Sequence, residues 1–301
     1  MIECGLALGG KTLKLALLGT GLMGAAMARR LAGDPEIDLV LWNRTRARAE
    51  AVGVGTVADS VEEAVLGADL VISSLLGPAS LREVYLGERG AVYAATGQTF
   101  VETSTAGTAL LPELADALRR KNSGIVDAPL LGSTDAVEAG TLLILAGGAP
   151  KDVDSARPVL SHFGNVEHVG PLGTAIQLKL IHNSFLGIIL TGAAELLTAS
   201  QNAQLSRPQV FKILCRLSPY LERRQTFYLN REYEPMTFAL KNIVKDLDLS
   251  LDFYHGVGAR MPVTSLVREL YAEAATHSGQ LDVSAIVRRY EMLSPGPKDQ
   301  V

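Results

Sequence analysis

The sequence predicts an α/β fold in which a doubly wound sheet is followed by an all-α domain, the two joined by one long helix. Short apolar strands alternate with helical patterns from Lys14 to about residue 169, the pattern of a sheet covered by helices on both faces. Beyond Gly170-Pro171-Leu172-Gly173 the strand signals stop and only helical patterns follow. At the join lies the most apolar stretch of the chain, Ile176 to Thr198. It is apolar on nearly all sides and so is expected to be buried between domains or subunits. The 301 residues suit two domains of roughly 100–200 residues each. Their expected limits are 14–172 for the sheet and 173–301 for the helices, after a loose N-terminal extension, 1–13.

Each element follows from a local signal. Gly5 to Thr12 spells a phosphate-loop pattern, but too little chain precedes it for a central strand, and the residues after it read as a strand, not a helix. That strand is Lys14–Leu18, followed by a glycine-rich turn and a helical run, Ala25 to Leu31, that stops at Gly33. Asp38–Trp42 is the next strand, and Ser60 with Glu63 has capping-box spacing for a short helix ending near Gly67. Strands are expected at 69–73, 99–102, 124–127, 141–146 and 166–169, with helices at about 80–86 and 109–121. Pro112 is tolerated in the first turn of the latter. The second half predicts helices over Thr174–Gln201, from Arg207-Pro208 onward, over Ala239–Gly256 and over Ser265–Thr276, then a loose tail from Ser294.

Composition excludes several classes. Hydrophobic residues are 48% and charged residues 20%, as in a globular enzyme, and the net charge of -4 offers no footprint for nucleic acid. Cys4 and Cys215 are too few for a disulfide framework, and the first residues lack a secretory signal, so a cytoplasmic location is expected. Lys179, His182, Asn183 and Glu195 interrupt the long apolar run, which therefore falls short of a clean membrane span. The histidines are scattered, and the Asp246, Asp248, Ser250, Asp252 series lacks a calcium loop's turn glycine and final glutamate. No metal is expected.

The turn Gly19-Thr20-Gly21-Leu22-Met23-Gly24 carries the first chemistry. Between a strand and a helix, Gly19 permits the tight turn, Gly21 lets a pyrophosphate approach, and Gly24 lets helix pack on strand. The helix N-terminus then offers amides to phosphate. This is the dinucleotide-binding turn of a Rossmann domain; the plainer alternative is a βαβ turn without a ligand. The next strand ends in Asn43-Arg44-Thr45 where an NAD site has a carboxylate. Asn43, Arg44 and Thr45 are expected to take a 2′-phosphate, with which Arg44 can pair, so NADP(H) is expected, unless the Arg44, Arg46 and Arg48 series is only a solvated helix start.

Carbonyl reduction by a nicotinamide also needs a proton donor. Lys179 sits two turns into the apolar helix, where burial would bring its pKa toward the working pH. His182 and Asn183 follow at i+3 and i+4 on the same side. A lysine snorkelling to solvent is the alternative.

Four motifs in order resemble the β-hydroxyacid dehydrogenase family: the glycine turn, Asp127-Ala128-Pro129 with Glu138-Ala139-Gly140-Thr141, Lys179-Leu180 with Asn183, and Lys245-Asp246-Leu247. Asn43-Arg44-Thr45, Gly132-Ser133 and the late Asp282-Val283-Ser284 are similar to its glyoxylate and succinic semialdehyde reductase branch. The resemblance implies an NADPH-dependent reductase of small carboxylated aldehydes with Lys179 as catalytic acid. It implies that Asn183 orients substrate and lysine, and that Ser104 with the Gly132 and Ser133 amides holds the substrate carboxylate. Leu75, Leu76 and Thr105 would line the nicotinamide side, and Lys245 would reach the cofactor across the cleft between the domains. Read from the residues alone, Lys245-Asp246 is equally a surface ion pair, and Ser104-Thr105 a strand-end turn. Leu131 replaces a small polar residue of the family pattern and His182 an asparagine, which bears on substrate identity. A homodimer or homotetramer is expected. The alternatives are a 3-hydroxyisobutyrate-type dehydrogenase, an imine reductase on the same fold, and a non-catalytic dinucleotide-binding scaffold.

Overall fold

The computed structural model describes residues 12–293. The phosphate-loop letters at 5–11 and the tail from Ser294 lie outside the described residues. The first part runs β1 (Leu13–Leu18), α1 (Leu22–Leu31), β2 (Ile37–Trp42), α2 (Arg46–Glu50), β3 (Thr56–Val57), α3 (Val61–Val65), β4 (Leu70–Ser73) and α4 (Pro78–Leu86). It continues through β5 (Thr99–Glu102), α5 (Leu111–Arg119), β6 (Gly124–Asp127), β7 (Leu130–Leu131), α6 (Thr134–Ala139), β8 (Leu142–Gly147), α7 (Pro150–Leu160) and β9 (Gly164–Gly170).

The strands form one sheet in the order β3-β2-β1-β4-β5-β6-β8-β7, with β9 on β8. β1 is parallel to both β2 and β4 in register, Leu17 facing Leu41 and Ile72. The chain therefore steps outward from β1 to β3 and returns to β4 on the other side of β1, which opens a crevice at the carboxyl ends of those strands. Alternate residues of β1 enter different cores: Leu15 and Leu17 on one face, Ala16 and Leu18 on the other. A two-residue period with both faces apolar gives a strand buried on both sides.

All seven expected strands are present. β3 and β7 are two residues each, too short for any period to register. β7 and β6 pair antiparallel with β8, so the sheet is mixed at this edge. α7 also escapes a sequence reading, because Pro150 opens it and Pro158 lies inside it. Ser60 caps α3, its Oγ accepting the Glu63 N–H at 3.1 Å. The return arm of that box is displaced by one residue: Glu63 accepts the Asp59 N–H.

The remaining helices are α8 (Thr174–Asn202), α9 (Arg207–Leu217), α10 (Leu240–Gly256), α11 (Pro262–Ser278) and α12 (Ile286–Leu293), with irregular helical turns at 219–230. Contacts divide the chain into two compact units between Lys179 and Leu180. Sequence composition changes earlier, at 172, but the start of α8 is tied to the sheet. Asp127, at the end of β6, accepts the Gly173 N–H at 2.7 Å and the Ile176 N–H at 2.8 Å.

The second unit closes on its own core, where Leu190, Ala193, Ala194 and Leu197 of α8 meet Phe211, Leu247, Tyr271 and Ile286. Among the described residues, a fully buried carboxylate of this unit, Asp282, accepts from Arg224 Nη1 at 3.0 and 3.1 Å and from Thr237 Oγ1 and the Thr237 and Ser284 amides. α8 is 29 residues long with a mean hydropathy of 1.5 in its most apolar window, so by length and composition it reaches the size of a membrane span. Half of that window is buried inside the protein, which fits a core helix. Asp246, Asp248 and Asp252 lie within α10, so they form no calcium loop, and no metal-ligand cluster occurs among the described residues.

Candidate active site

The glycine turn stands at the carboxyl end of β1 and its three glycines meet different constraints. Gly19 has φ of +100°, and a Cβ there would lie 2.3 Å from the Ser74 carbonyl oxygen. A Cβ on Gly24 would lie 2.0 Å from the Gly19 carbonyl oxygen. Both positions are glycine for the sake of the chain itself. Gly21 is different, because no protein atom lies within 4 Å of where its Cβ would be. It forms the N-cap of α1 without a side-chain cap, and Leu22 beside it is 53% exposed. Thr20 is buried, yet its Oγ1 has no hydrogen-bond partner. Open amides, an orphaned hydroxyl and a glycine unexplained by packing fit a pyrophosphate approaching the helix end.

Neighbouring strand ends complete this rim. Asn43 Oδ1 accepts the Thr20 N–H at 3.2 Å, and Asn43 Nδ2 donates to the Thr45 carbonyl at 2.9 Å. The Asn43 amide thus braces two turns, a structural duty the sequence reading did not assign to it. Arg44 is exposed and only loosely paired, Nη1 lying 3.4 Å from Glu83. Arg46, by contrast, is engaged by Glu50 and Asp59, and belongs to the solvated helix start. Thr45 caps α2 by position alone, and no side-chain bond ties its hydroxyl to that helix. Leu75 lies beside Gly19, and Leu76 is 63% exposed.

At the end of β5 a hydrogen-bonded chain appears that sequence reasoning missed. Glu102 is 3% exposed. Its Oε1 accepts the Ser104 N–H at 2.7 Å and its Oε2 accepts the Ser73 hydroxyl. Ser104 Oγ in turn accepts the Leu75 N–H at 2.7 Å. Burial pushes the Glu102 carboxyl up to about 7, against the opposing pull of the Ser104 and Ser73 bonds. Asp127, next in the sheet, is pushed up to about 6 by burial, although the Gly173 and Ile176 amides favour its charged form. The available signal was a lone acidic residue ending an otherwise buried strand, Thr99–Glu102. Thr105 follows, half-buried.

Lys179 is half-buried, and its Nζ donates to the Leu130 carbonyl at 2.9 Å. The fold thereby brings the ammonium to the segment that leads into Gly132 and Ser133. Gly132 has φ of +152°, and Ser133 stands at the N-cap of α6 without a side-chain bond to that helix.

In the second unit, Asn183 is buried with both ends of its amide engaged. His182 Nδ1 donates to Asn183 Oδ1 at 2.9 Å, and Asn183 Nδ2 donates to Asp246 Oδ2 at 2.6 Å. Lys245 Nζ lies 2.7 Å from Asp246 Oδ1, and that carboxylate is only 2% exposed. The Asp246 end of this pair is buried, and Lys245 is half-buried. His182, the departure from the family pattern, supplies the bond that orients the Asn183 amide.

Comparison with known proteins fits this architecture. The family model described as the NAD binding domain of 6-phosphogluconate dehydrogenase matches residues 14–173. The one described as NAD-binding of NADP-dependent 3-hydroxyisobutyrate dehydrogenase matches residues 173–290. The chain is 30% identical over 298 residues to a 3-hydroxyisobutyrate dehydrogenase of Pseudomonas aeruginosa, covering 92% of this chain and 98% of that one. It is 28% identical over 284 residues to the chloroplastic glyoxylate/succinic semialdehyde reductase 2 of Arabidopsis thaliana, covering 92% and 79%. Among solved structures, the Mycobacterium tuberculosis 3-hydroxyisobutyrate dehydrogenase with L-serine superimposes with a TM-score of 0.79 at 25% identity, covering 92% and 98%. The chain belongs to the β-hydroxyacid dehydrogenase family of NAD(P)-binding oxidoreductases.

Proposed function

We propose that this protein uses NADPH to reduce small carboxyl-bearing aldehydes, of the glyoxylate or succinic semialdehyde kind, to hydroxy acids. The observation that carries the reading is the Lys179 ammonium, held 2.9 Å from the Leu130 carbonyl beside the Gly132-Ser133 segment. Bound NADPH supplies the hydride. Lys179 Nζ gives a proton to the carbonyl oxygen as charge develops there, and Leu130 holds the ammonium in place for that transfer. Ser104 and the Gly132 and Ser133 amides take the substrate carboxylate. The turn Gly19–Gly24 takes the pyrophosphate, Leu75, Leu76 and Thr105 line the nicotinamide side, and Asn43, Arg44 and Thr45 take the 2′-phosphate. A cytoplasmic dimer or tetramer is the form we expect, since α8 leaves Ile181, Phe185 and Leu196 exposed on an apolar helix.

Initial rates with NADPH and NADH over glyoxylate, succinic semialdehyde, methylmalonate semialdehyde and a cyclic imine test this reading. An aldehyde acid with NADPH is expected to give the highest kcat/KM. Turnover of the imine alone, or nucleotide binding without any turnover, would defeat it. Arg44→Ala should weaken NADPH by roughly tenfold and leave NADH nearly unchanged, because a charge-assisted contact to the extra phosphate is lost. Equal losses for the two nucleotides would remove Arg44 from phosphate recognition.

The glycines give a paired test of nucleotide binding. Gly24→Ala should destabilise the sheet unit, because backbone must move to admit the methyl group. Gly21→Ala has room and should change stability by less than about 0.5 kcal/mol. It should nevertheless weaken NADPH by about tenfold. Unchanged NADPH affinity in Gly21→Ala would show that the pyrophosphate lies elsewhere.

A further inference from the structure

Glu102 has no part in the reaction just described, yet it ties the site's loops together. It ends β5, and in the sheet register it stands between Ser73 of β4 and Asp127 of β6. The Ser73 hydroxyl that donates to it also lies 2.7 Å from the Tyr85 hydroxyl of α4. On the other side it accepts the Ser104 N–H, and the Ser104 hydroxyl accepts the Leu75 N–H. The chain Tyr85–Ser73–Glu102–Ser104–Leu75 therefore spans the ends of two strands and one helix. Asp127, the next carboxyl along, holds the first turn of α8 by the Gly173 and Ile176 amides, six and three residues before Lys179. Thus one buried carboxyl holds the loops bearing Ser104 and Leu75, and its neighbour holds the helix bearing Lys179.

The chemistry of these bonds is not symmetric between the two forms of Glu102. As a carboxylate it is acceptor-only, so both oxygens serve Ser73 and Ser104 together. As a carboxylic acid the oxygen that carries the proton becomes a donor: on Oε2 the Ser73 hydroxyl can turn to accept it, whereas on Oε1 the Ser104 N–H, which can only donate, loses its acceptor. The titratable groups facing it are Tyr85 from α4 and Asp127 from β6. Asp127 is the like charge that adds to the effect of burial, which pushes the Glu102 carboxyl up to about 7. The rearrangement therefore falls in the working range of a cellular enzyme.

We propose that Glu102 is a positioning residue for reduction: ionised, it fixes Ser104 and the Leu75 amide in the substrate-binding arrangement, and protonated, it releases them. This rests on the reading of Ser104 as a substrate contact. The carboxyl is 3% exposed, so its effect reaches the site through Ser104 and, beyond it, the Leu75 amide.

The experiment compares wild type, Glu102→Gln and Ser73→Ala in three measurements. The first is kcat and KM for the preferred aldehyde acid from about pH 5.5 to about pH 9. The second is NADPH affinity from the fluorescence of Trp42, the sole tryptophan. The third follows the Leu75 and Ser104 amide resonances of labelled protein through the same pH range. In wild type, kcat/KM should rise with pH through about 7 and both amides should titrate with it. Glu102→Gln should raise KM about tenfold at high pH, flatten the limb and abolish the amide titration, with NADPH affinity changed less than about threefold. Ser73→Ala removes a bond that favours the charged form, so it should move the limb and the amide titration upward by about half to one pH unit. The proposal is overturned if the wild-type amides do not titrate, or if Ser73→Ala leaves the titration where it was, even should Glu102→Gln fail to fold. A lowered melting temperature with an unmoved pH profile would likewise overturn it. Absence of turnover in wild type would instead count against the proposed function, and the amide titration would still decide the role of Glu102.

Discussion

Lys179→Ala is expected to lower kcat by about 10²–10⁴-fold with little change in NADPH affinity. The reasoning begins with charge. Reduction of a carbonyl leaves an oxyanion unless a proton arrives in the same step, and a positioned acid supplies it without waiting for solvent. Lys179 is half-buried with its Nζ on the Leu130 carbonyl, so its place is set before any ligand enters. Lys179→Arg should be nearly as damaging, because a guanidinium remains protonated at any working pH and cannot cycle. The lost bond to Leu130 contributes about 1 kcal/mol, too little to unfold the chain, so thermal melts should separate the chemical loss from a structural one. Steady-state rates at saturating aldehyde decide the matter. An alanine variant within about threefold of wild type would leave the proton to water.

The largest effect on stability is expected at Asp282. Asp282→Ala strands the Arg224 guanidinium, which is 7% exposed and loses its bonds to both carboxylate oxygens. Breaking a buried pair by removing one partner costs about 3–5 kcal/mol. Here the Thr237 and Ser284 amides lose their acceptor as well. A domain whose total stability is about 5–15 kcal/mol would be left marginal. A urea melt followed by far-ultraviolet circular dichroism should show the midpoint falling sharply. The double variant Asp282→Leu with Arg224→Met should recover much of the loss, because no uncompensated charge remains. If the single and double variants melt alike, the charge pair is not what holds these turns together.

Asp282 also illustrates how a sequence conceals a role. In the chain it is only one polar residue in a motif shared with one branch of the family. Folding brings it to Arg224, 58 positions away, and makes it the acceptor for a whole turn. Strand and helix signals are local by contrast: the short apolar run of Leu13–Leu18 and period 3.6 in α10 are visible because the partners lie within a few residues. The two-residue strands β3 and β7 exist only because a neighbouring strand offers hydrogen bonds, so nothing in their own residues announces them.

The site divides in the same way. The glycine turn could be read directly, since each glycine answers to a backbone requirement a few residues long. The candidacy of Lys179 was also legible, as a cation in an apolar helix. Its partner, the Leu130 carbonyl, was not. Asn43 was expected at the 2′-phosphate, and its amide also braces Thr20 and Thr45. Asn183 was expected to orient substrate and lysine, and its amide also bonds His182 and Asp246. Side-chain amides are equally able to bind ligand or backbone, and only their surroundings choose.

The order of residues by itself determined the sheet, its glycine turn, the change to helices and the lysine on the long helix, because each is written in short-range periodicity or turn chemistry. Tertiary structure alone decided which polar groups meet. The Glu102 network, the Asp127 cap on α8 and the Arg224–Asp282 pair each join residues from 29 to 58 positions apart. Buried polar atoms must find partners wherever the fold brings them, and sequence spacing carries no record of that search.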